Sequence, residues 1–266
     1  MTDILNIVSN TNYMSRNVKD YLLKQLKKYD FEASTTFSKN ALATICIGGD
    51  GAFIKAVHRN NFPLVPFVGI NTGHLGFYQE INPEEIDEFL RMLKNGDYII
   101  DETLLVGAEV FVKNRRFYLN AINEIILKGQ GSKIIHMDVA IDKNHLQTFS
   151  GDGIMISTPC GSTGYNYSLG GSIVYPTLHT LQITPMAPIN SVAFRSLPSS
   201  IIVPGDSVIS LRPEKRYENS SLVIVDGMEL SYKNLQKINL RVSKKKINRL
   251  IFQKNHYWKN LKGKFL

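Results

Sequence analysis

The apolar pattern of this chain changes period once, near residue 96, and that change calls for two kinds of folding unit. Before it, short apolar runs alternate with stripes at helical spacing. Ile4 to Val8 reads as a strand that ends in the turn Ser9-Asn10-Thr11-Asn12. Val18, Leu22, Leu26 and Tyr29 then recur as one helix face, with Ser15 as candidate N-cap. Thr44 to Ile47 is a second strand running into Gly48-Gly49-Asp50-Gly51, after which Phe53, Ile54 and Val57 give a second helix face. Val65 to Ile70 is a third strand. Asn82-Pro83 opens a helix with the stripe Ile86, Phe89, Leu90 and Leu93, and Gly96 stops it. Strands alternating with helices predict a parallel α/β layer.

Beyond Gly96 the period becomes two. Val106 to Val112 and the run from Phe117 flank Lys113-Asn114-Arg115-Arg116, a hairpin. Ile135, Met137, Val139 and Ile141 alternate strictly, and Asp142 to His145 turns the chain. Ile154 to Ile156, Val208 to Leu211, Leu222 to Val225 and the alternation Ile238, Leu240, Val242 add further short strands. Many strands at short spacing predict a β-rich second domain. No internal repeat or low-complexity linker separates the two. Residues 247 to 266 mix Phe252, Tyr257, Trp258 and Phe265 with lysines, and four aromatics in so short a stretch predict a packed segment.

Composition narrows the class. A hydrophobic fraction of 43% with 20% charged residues over 266 residues is that of a globular protein. No stretch approaches the ~18 consecutive apolar residues of a membrane span, and the first residues lack the basic and apolar regions of a signal peptide. Two cysteines, Cys46 and Cys160, make neither a disulfide framework nor a four-cysteine zinc site, and point to the cytoplasm. The net charge of +8 is unevenly placed. The 37 residues after Glu229 hold 11 Lys or Arg and no acid, whereas the preceding 229 hold 20 basic and 23 acidic groups. No nucleic-acid module signature accompanies that tail, so neither nucleic acid nor membrane is expected as a partner.

Four segments carry chemistry. Gly48-Gly49-Asp50-Gly51 lies between strand and helix, where glycines admit a ligand to the backbone and the helix start favours anions. It reads equally as a phosphate cradle with a central carboxylate or as a tight turn with Asp50 as an Asx cap. Residues 151 to 171 combine Gly151-Asp152-Gly153 with a run rich in glycine and hydroxyls (Ser157, Thr158, Ser162, Thr163) that also holds Tyr165. That composition suits phosphate or ribose oxygens and a stacked base; the alternative is a polar surface loop. Asn123-Glu124 interrupts an apolar run, and two polar groups there need a ligand or an internal network unless one is solvated. Residues 71 to 78, Asn-Thr-Gly-His-Leu-Gly-Phe-Tyr, follow the third strand, where α/β proteins bind ligands. His74 within them reads as a structural, hydrogen-bonded histidine rather than an acid–base group. The six histidines have no metal-binding spacing, so no protein-held metal is expected.

Taken in order and spacing, GGDG (48–51), NTGHLGF (71–77), NE (123–124), GDG (151–153), STPCGSTGYNYSLGG (157–171), MAPINSVAFR (186–195) and VDG (225–227) resemble the bacterial NAD kinase family. GGDG alone is shared with diacylglycerol and sphingosine kinases and phosphofructokinases; the 157–171 segment and the Asn-Glu pair discriminate. The resemblance implies transfer of phosphate from ATP or polyphosphate to the adenosine ribose 2′-hydroxyl of NAD, giving NADP, with Mg²⁺ carried by ATP and a homodimer or homotetramer as the assembly. It implies an N-terminal α/β domain over 1–98 that carries GGDG and is completed by 250–266. A β-rich NAD-binding domain covers 99–249. By motif position Asp50 is the catalytic group. Gly51 and Lys55 lie near phosphate, Phe77 and Tyr78 flank the adenine, and Asn123 and Glu124 hold the adenosine part. Thr163, Gly164, Tyr165 and Ser168 line the adenine and nicotinamide–ribose pockets, and Asp152 and Ala187 make further NAD contacts. Two departures stand out: Ala52 follows GGDG where a Thr or Asn hydroxyl or amide is common, and Gly164 replaces an alanine. The competing readings are a lipid kinase of the same superfamily, which would need an apolar acyl channel, and a non-enzymatic polyanion-binding protein using the basic tail.

Overall fold

The computed structural model describes residues 2–192, 194–253 and 255–266, with the Ser132 side chain left out; Ala193 of the 186–195 motif and Lys254 of the basic tail lie outside the described residues. The chain divides into two compact units, residues 1–102 with 246–266, and 103–245.

The first unit opens with β1 (Asp3–Ser9), α1 (Tyr13–Leu26), β2 (Phe31–Ala33), β3 (Ala43–Gly48), α2 (Asp50–Arg59), β4 (Phe67–Asn71), β5 (Gln79–Ile81) and α3 (Ile86–Asn95). β2, β1, β3 and β4 pair in that order, all parallel, and β5 adds to β4. Every residue of β3 is buried, which is why it reads as a continuous apolar run. Leu5, Ile45, Ile47, Val68 and Ile70 meet Leu22, Phe89 and Leu90 from the helices in one core. The N-cap of α1 is Asn12, whose side chain accepts the Ser15 amide at 2.8 Å, and not Ser15. Ser15 is instead fully buried, its hydroxyl 2.6 Å from that of Thr72. Periodicity missed β2 and β5 because three-residue strands show no pattern to count. Asn82 and Glu85 form a reciprocal capping box before α3, and Gly96 ends that helix at φ 78°.

The chain leaves this unit within β6 (Ile99–Val112) and continues through β7 (Arg115–Ala121), β8 (Glu124–Gly129), β9 (Ile135–Ile141), β10 (Asn144–Gly151), β11 (Gly153–Ser157), α4 (Tyr165–Ser168), β12 (Thr180–Met186), β13 (Ile201–Pro204), β14 (Ile209–Pro213), β15 (Ser221–Val225) and β16 (Met228–Ser231). It returns within β17 (Leu235–Ile251) and ends in α5 (His256–Phe265). In the second unit β13-β12-β11-β8-β15-β16 form one antiparallel sheet. β10-β9-β14-β17, with β6 on β17 and β7 on β6, form the other strand layer. Alternate residues of the two layers fill a common core, among them Val106, Ile125, Leu127, Met137, Ile154, Ile183, Leu211 and Leu240. A smaller cluster of Ile126, Met155 and Met186 with Leu169 occupies the other face of the six-stranded sheet. β8 and β11 are therefore buried on both faces.

Candidate active site

In the first unit the site is built where parallel strands end. β3 stops at Gly48, Gly49 is the N-cap of α2 without any side-chain cap, and Asp50 is the first helical residue. Asp50 does not cap its own helix, so the Asx-cap alternative is not realised. Its Oδ2 accepts the Phe77 amide and its Oδ1 the Tyr78 amide, each at 3.0 Å. Gly76 makes this possible: a Cβ there would sit 2.5 Å from the Asp50 Cγ. A carboxylate has about four acceptor positions. Two are used, and the half-buried group keeps capacity for a hydroxyl.

The segment that grips Asp50 is itself tied to the end of the chain. The Asn260 side-chain amide donates to the Gly76 carbonyl at 2.7 Å, and Arg249 donates to that of Phe77 at 3.2 Å. Glu80 accepts the Phe252 and Gln253 amides at 3.0 Å each. Gly51 and Lys55 are exposed. The Phe77 ring packs 5.8 Å from Tyr257 and 6.3 Å from Phe265, with the Lys264 ammonium over it at 5.1 Å. Tyr78 corrects an expectation: it is 4% exposed and stacked on Phe53 at 4.8 Å, a core ring rather than an adenine contact. His74 is also not the bonded structural residue expected, since it is exposed and makes no hydrogen bond among the described residues.

In the second unit the apolar run from Tyr118 to Leu127 is broken between β7 and β8, and the break is where Asn123-Glu124 lies. Asp226 holds the break. It sits at φ 46° in the two-residue Asp-Gly turn joining β15 to β16. Its carboxylate accepts the amides of Ile122 and Asn123 at 2.7 Å and that of Glu124 at 3.2 Å. From the other side the Thr158 hydroxyl donates to the Ile122 carbonyl at 2.6 Å and the Thr158 amide to the Asn123 carbonyl at 2.8 Å. Gly161 lies so close to the Asn123 backbone that no side chain fits. Register places Glu124, Ser157 and Gln182 in one row across the sheet. Glu124 Oε2 and Ser157 Oγ in that row are buried without a hydrogen-bond partner. Burial, and secondarily the Asp226 carboxylate, push the Glu124 carboxyl up to about 8.

The 157–171 segment is neither an open loop nor a row of free hydroxyls. It folds into a short 3₁₀ turn, Cys160–Thr163, and the single helical turn α4. Its hydroxyls mostly serve the fold. Ser162 donates to the Pro159 carbonyl at 2.6 Å and accepts the Val174 amide at 2.9 Å, and Thr163 donates to the Cys160 carbonyl at 3.4 Å. Asn166, fully buried, is held by the Ser162 carbonyl and the Thr184 hydroxyl. Outward the segment presents Gly164, Tyr165, Tyr167, Ser168 and Gly170, with the two tyrosines exposed to nearly the same degree. Asp152 and Ala187, both exposed, are brought together by the bond from the Asp152 amide to the Met186 carbonyl at 3.0 Å. They lie at the opposite end of β11 from Ser157, with Asp152 ~16 Å away at a strand's rise per residue. Ala187 holds a φ of 43°, an uncommon conformation for alanine. The sequence marked Asp226 only as part of the VDG motif and gave it no role of its own; the local signal for its position is the Asp-Gly hairpin turn.

Residues 8–98 match the ATP-NAD kinase N-terminal domain and residues 122–251 the ATP-NAD kinase C-terminal domain. The chain belongs to the ATP-NAD kinase family. It is 45% identical over 99% of its length, and 98% of the relative's, to the NAD kinase of Finegoldia magna. It is 35% identical to NAD kinase 1 of Listeria monocytogenes over 84% of each chain. Its fold is that of a yeast NADH kinase solved with NADH, with TM-score 0.84, 19% identity, and 98% and 86% of the two chains covered. An Archaeoglobus fulgidus NAD kinase solved with ATP matches at TM-score 0.76 and 23% identity, covering 98% and 97%. The N-terminal α/β and C-terminal β-rich architecture, with the chain end returning to the first domain, is that of the family. Membership makes the chain a phosphotransferase of the NAD kinase type, and retires the lipid-kinase and polyanion-binding readings.

Proposed function

We propose that the chain transfers the terminal phosphoryl group of ATP, or of polyphosphate, to the 2′-hydroxyl of the adenosine ribose of NAD. The observation that carries the reading is the Asp50 carboxylate, fixed by two backbone amides at the carboxyl end of β3 with acceptor capacity to spare. A carboxylate is too weak a base to ionise a ribose hydroxyl outright. In a loose phosphoryl-transfer transition state the proton leaves late, so Asp50 orients the hydroxyl and takes its proton as transfer completes. The bond from O2′ to the γ-phosphorus forms, the bond from that phosphorus to its bridging oxygen breaks, and the leaving diphosphate keeps the electron pair.

Gly51 and the exposed Lys55 are the phosphate-side contacts of this reading, with the Phe77 amide acting through Asp50. Asn123, Glu124, Thr163, Gly164, Tyr165 and Ser168 recognise NAD, Tyr165 through its exposed ring and Thr163 through its backbone, its hydroxyl being engaged. Among the described residues no group of three or more His, Cys, Asp or Glu side chains is arranged to hold a metal. Mg²⁺ enters this reading as part of the nucleotide substrate, where it neutralises phosphate charge. Asp152 and Ala187 are read as NAD contacts too. A homodimer or homotetramer belongs to the same reading, and light scattering tests it. Among the described residues no helix is long and apolar enough to cross a membrane, and a cytoplasmic location belongs to the same reading.

Incubation with NAD, ATP and Mg²⁺ should yield NADP. Asp50→Asn should lower kcat by ~10²-fold or more, the usual loss of a general base, with NAD affinity retained. Turnover within about threefold of the parent would make Asp50 structural and remove the mechanism.

A further inference from the structure

Eleven cations without an acid after Glu229 are more than the reaction uses, and the second unit gathers several of them around one concavity. Along β17, Ile238 and Leu240 point into the core, so Asn239, Arg241 and Ser243 stand on the opposite face. Register brings Gly107 against Asn120 and Glu109 against Tyr118 on that same face of β6 and β7. Together with Lys244 and Lys245 these residues line an open concavity of about 550 Å³, within the range of small-molecule sites. Gly107 lets Ser243 approach closely at its floor, because a Cβ there would lie 3.2 Å from Ser243.

The lining offers donors. The Ser243 hydroxyl donates to the Asn120 Oδ1 at 2.5 Å and the Ser210 hydroxyl to the Asn239 Oδ1 at 2.7 Å. Both side-chain amides thereby spend their acceptor inside the protein and keep their NH₂ groups for the cavity. Arg241 and Lys244 are exposed and have no acidic partner among the described residues. The one acid of the lining, Glu109, is already engaged by Arg116 at 3.3 Å and the Tyr118 hydroxyl at 3.4 Å.

We propose that this concavity is an anion site that takes a compact polyphosphate, inorganic or nucleoside-linked, and uses none of the residues assigned to the reaction. The test is calorimetric titration of inorganic tripolyphosphate, and separately of ATP, into the full-length protein without Mg²⁺ at about 50 mM salt, a strength that leaves surface charge poorly screened. The parent should bind one more equivalent of tripolyphosphate than the surface variant Arg241→Ser/Lys244→Ser, whose kcat for NADP formation should equal the parent's. Glu109→Gln should tighten that extra equivalent. An extra equivalent of ATP as well marks a nucleotide site, and an extra equivalent of tripolyphosphate alone marks an inorganic one. Equal stoichiometry and affinity in parent and double variant would overturn the proposal.

Discussion

With its carboxyl pushed up to about 8, Glu124 keeps its proton near neutral pH and can donate as well as accept. Burial is the larger cause and the Asp226 carboxylate the second. The consequence for stability follows from linkage. An acid whose pKa is raised by folding holds its proton more tightly folded than unfolded. Its favourable contribution is complete below the ordinary glutamate value of 4.5 and is lost as pH rises to about 8. Glu124→Gln has the same shape and cannot ionise. It should therefore match the parent at pH near ~5 and exceed it by on the order of 2–4 kcal/mol near pH ~9, read by denaturant unfolding. A parallel alkaline decline in both proteins would show that Glu124 ionises freely. The neighbouring pair Asn123-Glu124 was legible as a polar interruption of an apolar run. Its clamp was not, because Asp226 lies about a hundred residues further along the chain and reaches the break only through the pairing of β15 with β8.

The elements at the two ends of the chain depend on each other. α5 and the end of β17 carry Asn260 and Arg249 to the backbone of residues 76 and 77, and that backbone carries the donors to Asp50. Asn260 Nδ2 also lies 2.7 Å from the His256 Nε2, so a neutral His256 ring accepts the second hydrogen of the same amide nitrogen. Burial first, and then Arg249, holds His256 below its ordinary value. Asn260→Ala frees the Gly76 carbonyl and lets the Asp50 clamp drift. It should lower kcat severalfold with little change in the KM for NAD, and cost ~1–3 kcal/mol for the unpaired buried carbonyl. Asn260→Asp, which cannot donate to that carbonyl, should behave like the alanine variant. A change confined to KM would place the role of α5 elsewhere. The aromatic content of residues 247–266 was enough to predict packing, and the described part of that segment does pack, with Phe252 edge-on to Phe89 at 5.2 Å. Which loop it would steady was beyond reach, since hydrogen bonds between residues about 180 positions apart leave no local pattern.

For the molecule as a whole, charge is the property with the longest range. The acid-free tail after Glu229 is built largely into β17 and α5, so among the described residues its cations other than the buried Arg249 are displayed on folded surface. NAD and ATP are anions, and positive surface raises their encounter rate until salt screens it over ~8–10 Å. kcat/KM should fall moderately between about 50 and 300 mM salt while kcat stays nearly constant. Binding to mixed-sequence DNA at about 150 mM salt should be no tighter than ~10⁻⁶ M. Submicromolar binding lost on neutralising Lys244, Lys245 and Lys246 would return nucleic acid to consideration.

Period and punctuation in the chain were sufficient for the α/β unit, the β-rich unit and the turn that carries Asp50, because local sterics and the burial of one face act over neighbouring residues. Motif order was sufficient for the family. Folding in three dimensions decided which polar groups remain for a ligand. Ser162 and Thr163 looked available in one dimension, and the chain satisfies them internally. Tyr78 looked like a base contact, and the core takes it. Asp50 read equally as a turn cap or as the carboxylate of a phosphate cradle, and residues 77 and 78 hold it rather than its own helix. The reason is the same in each case: a buried donor or acceptor must find a partner, and which partner it finds depends on segments that only the completed fold brings within ~3 Å.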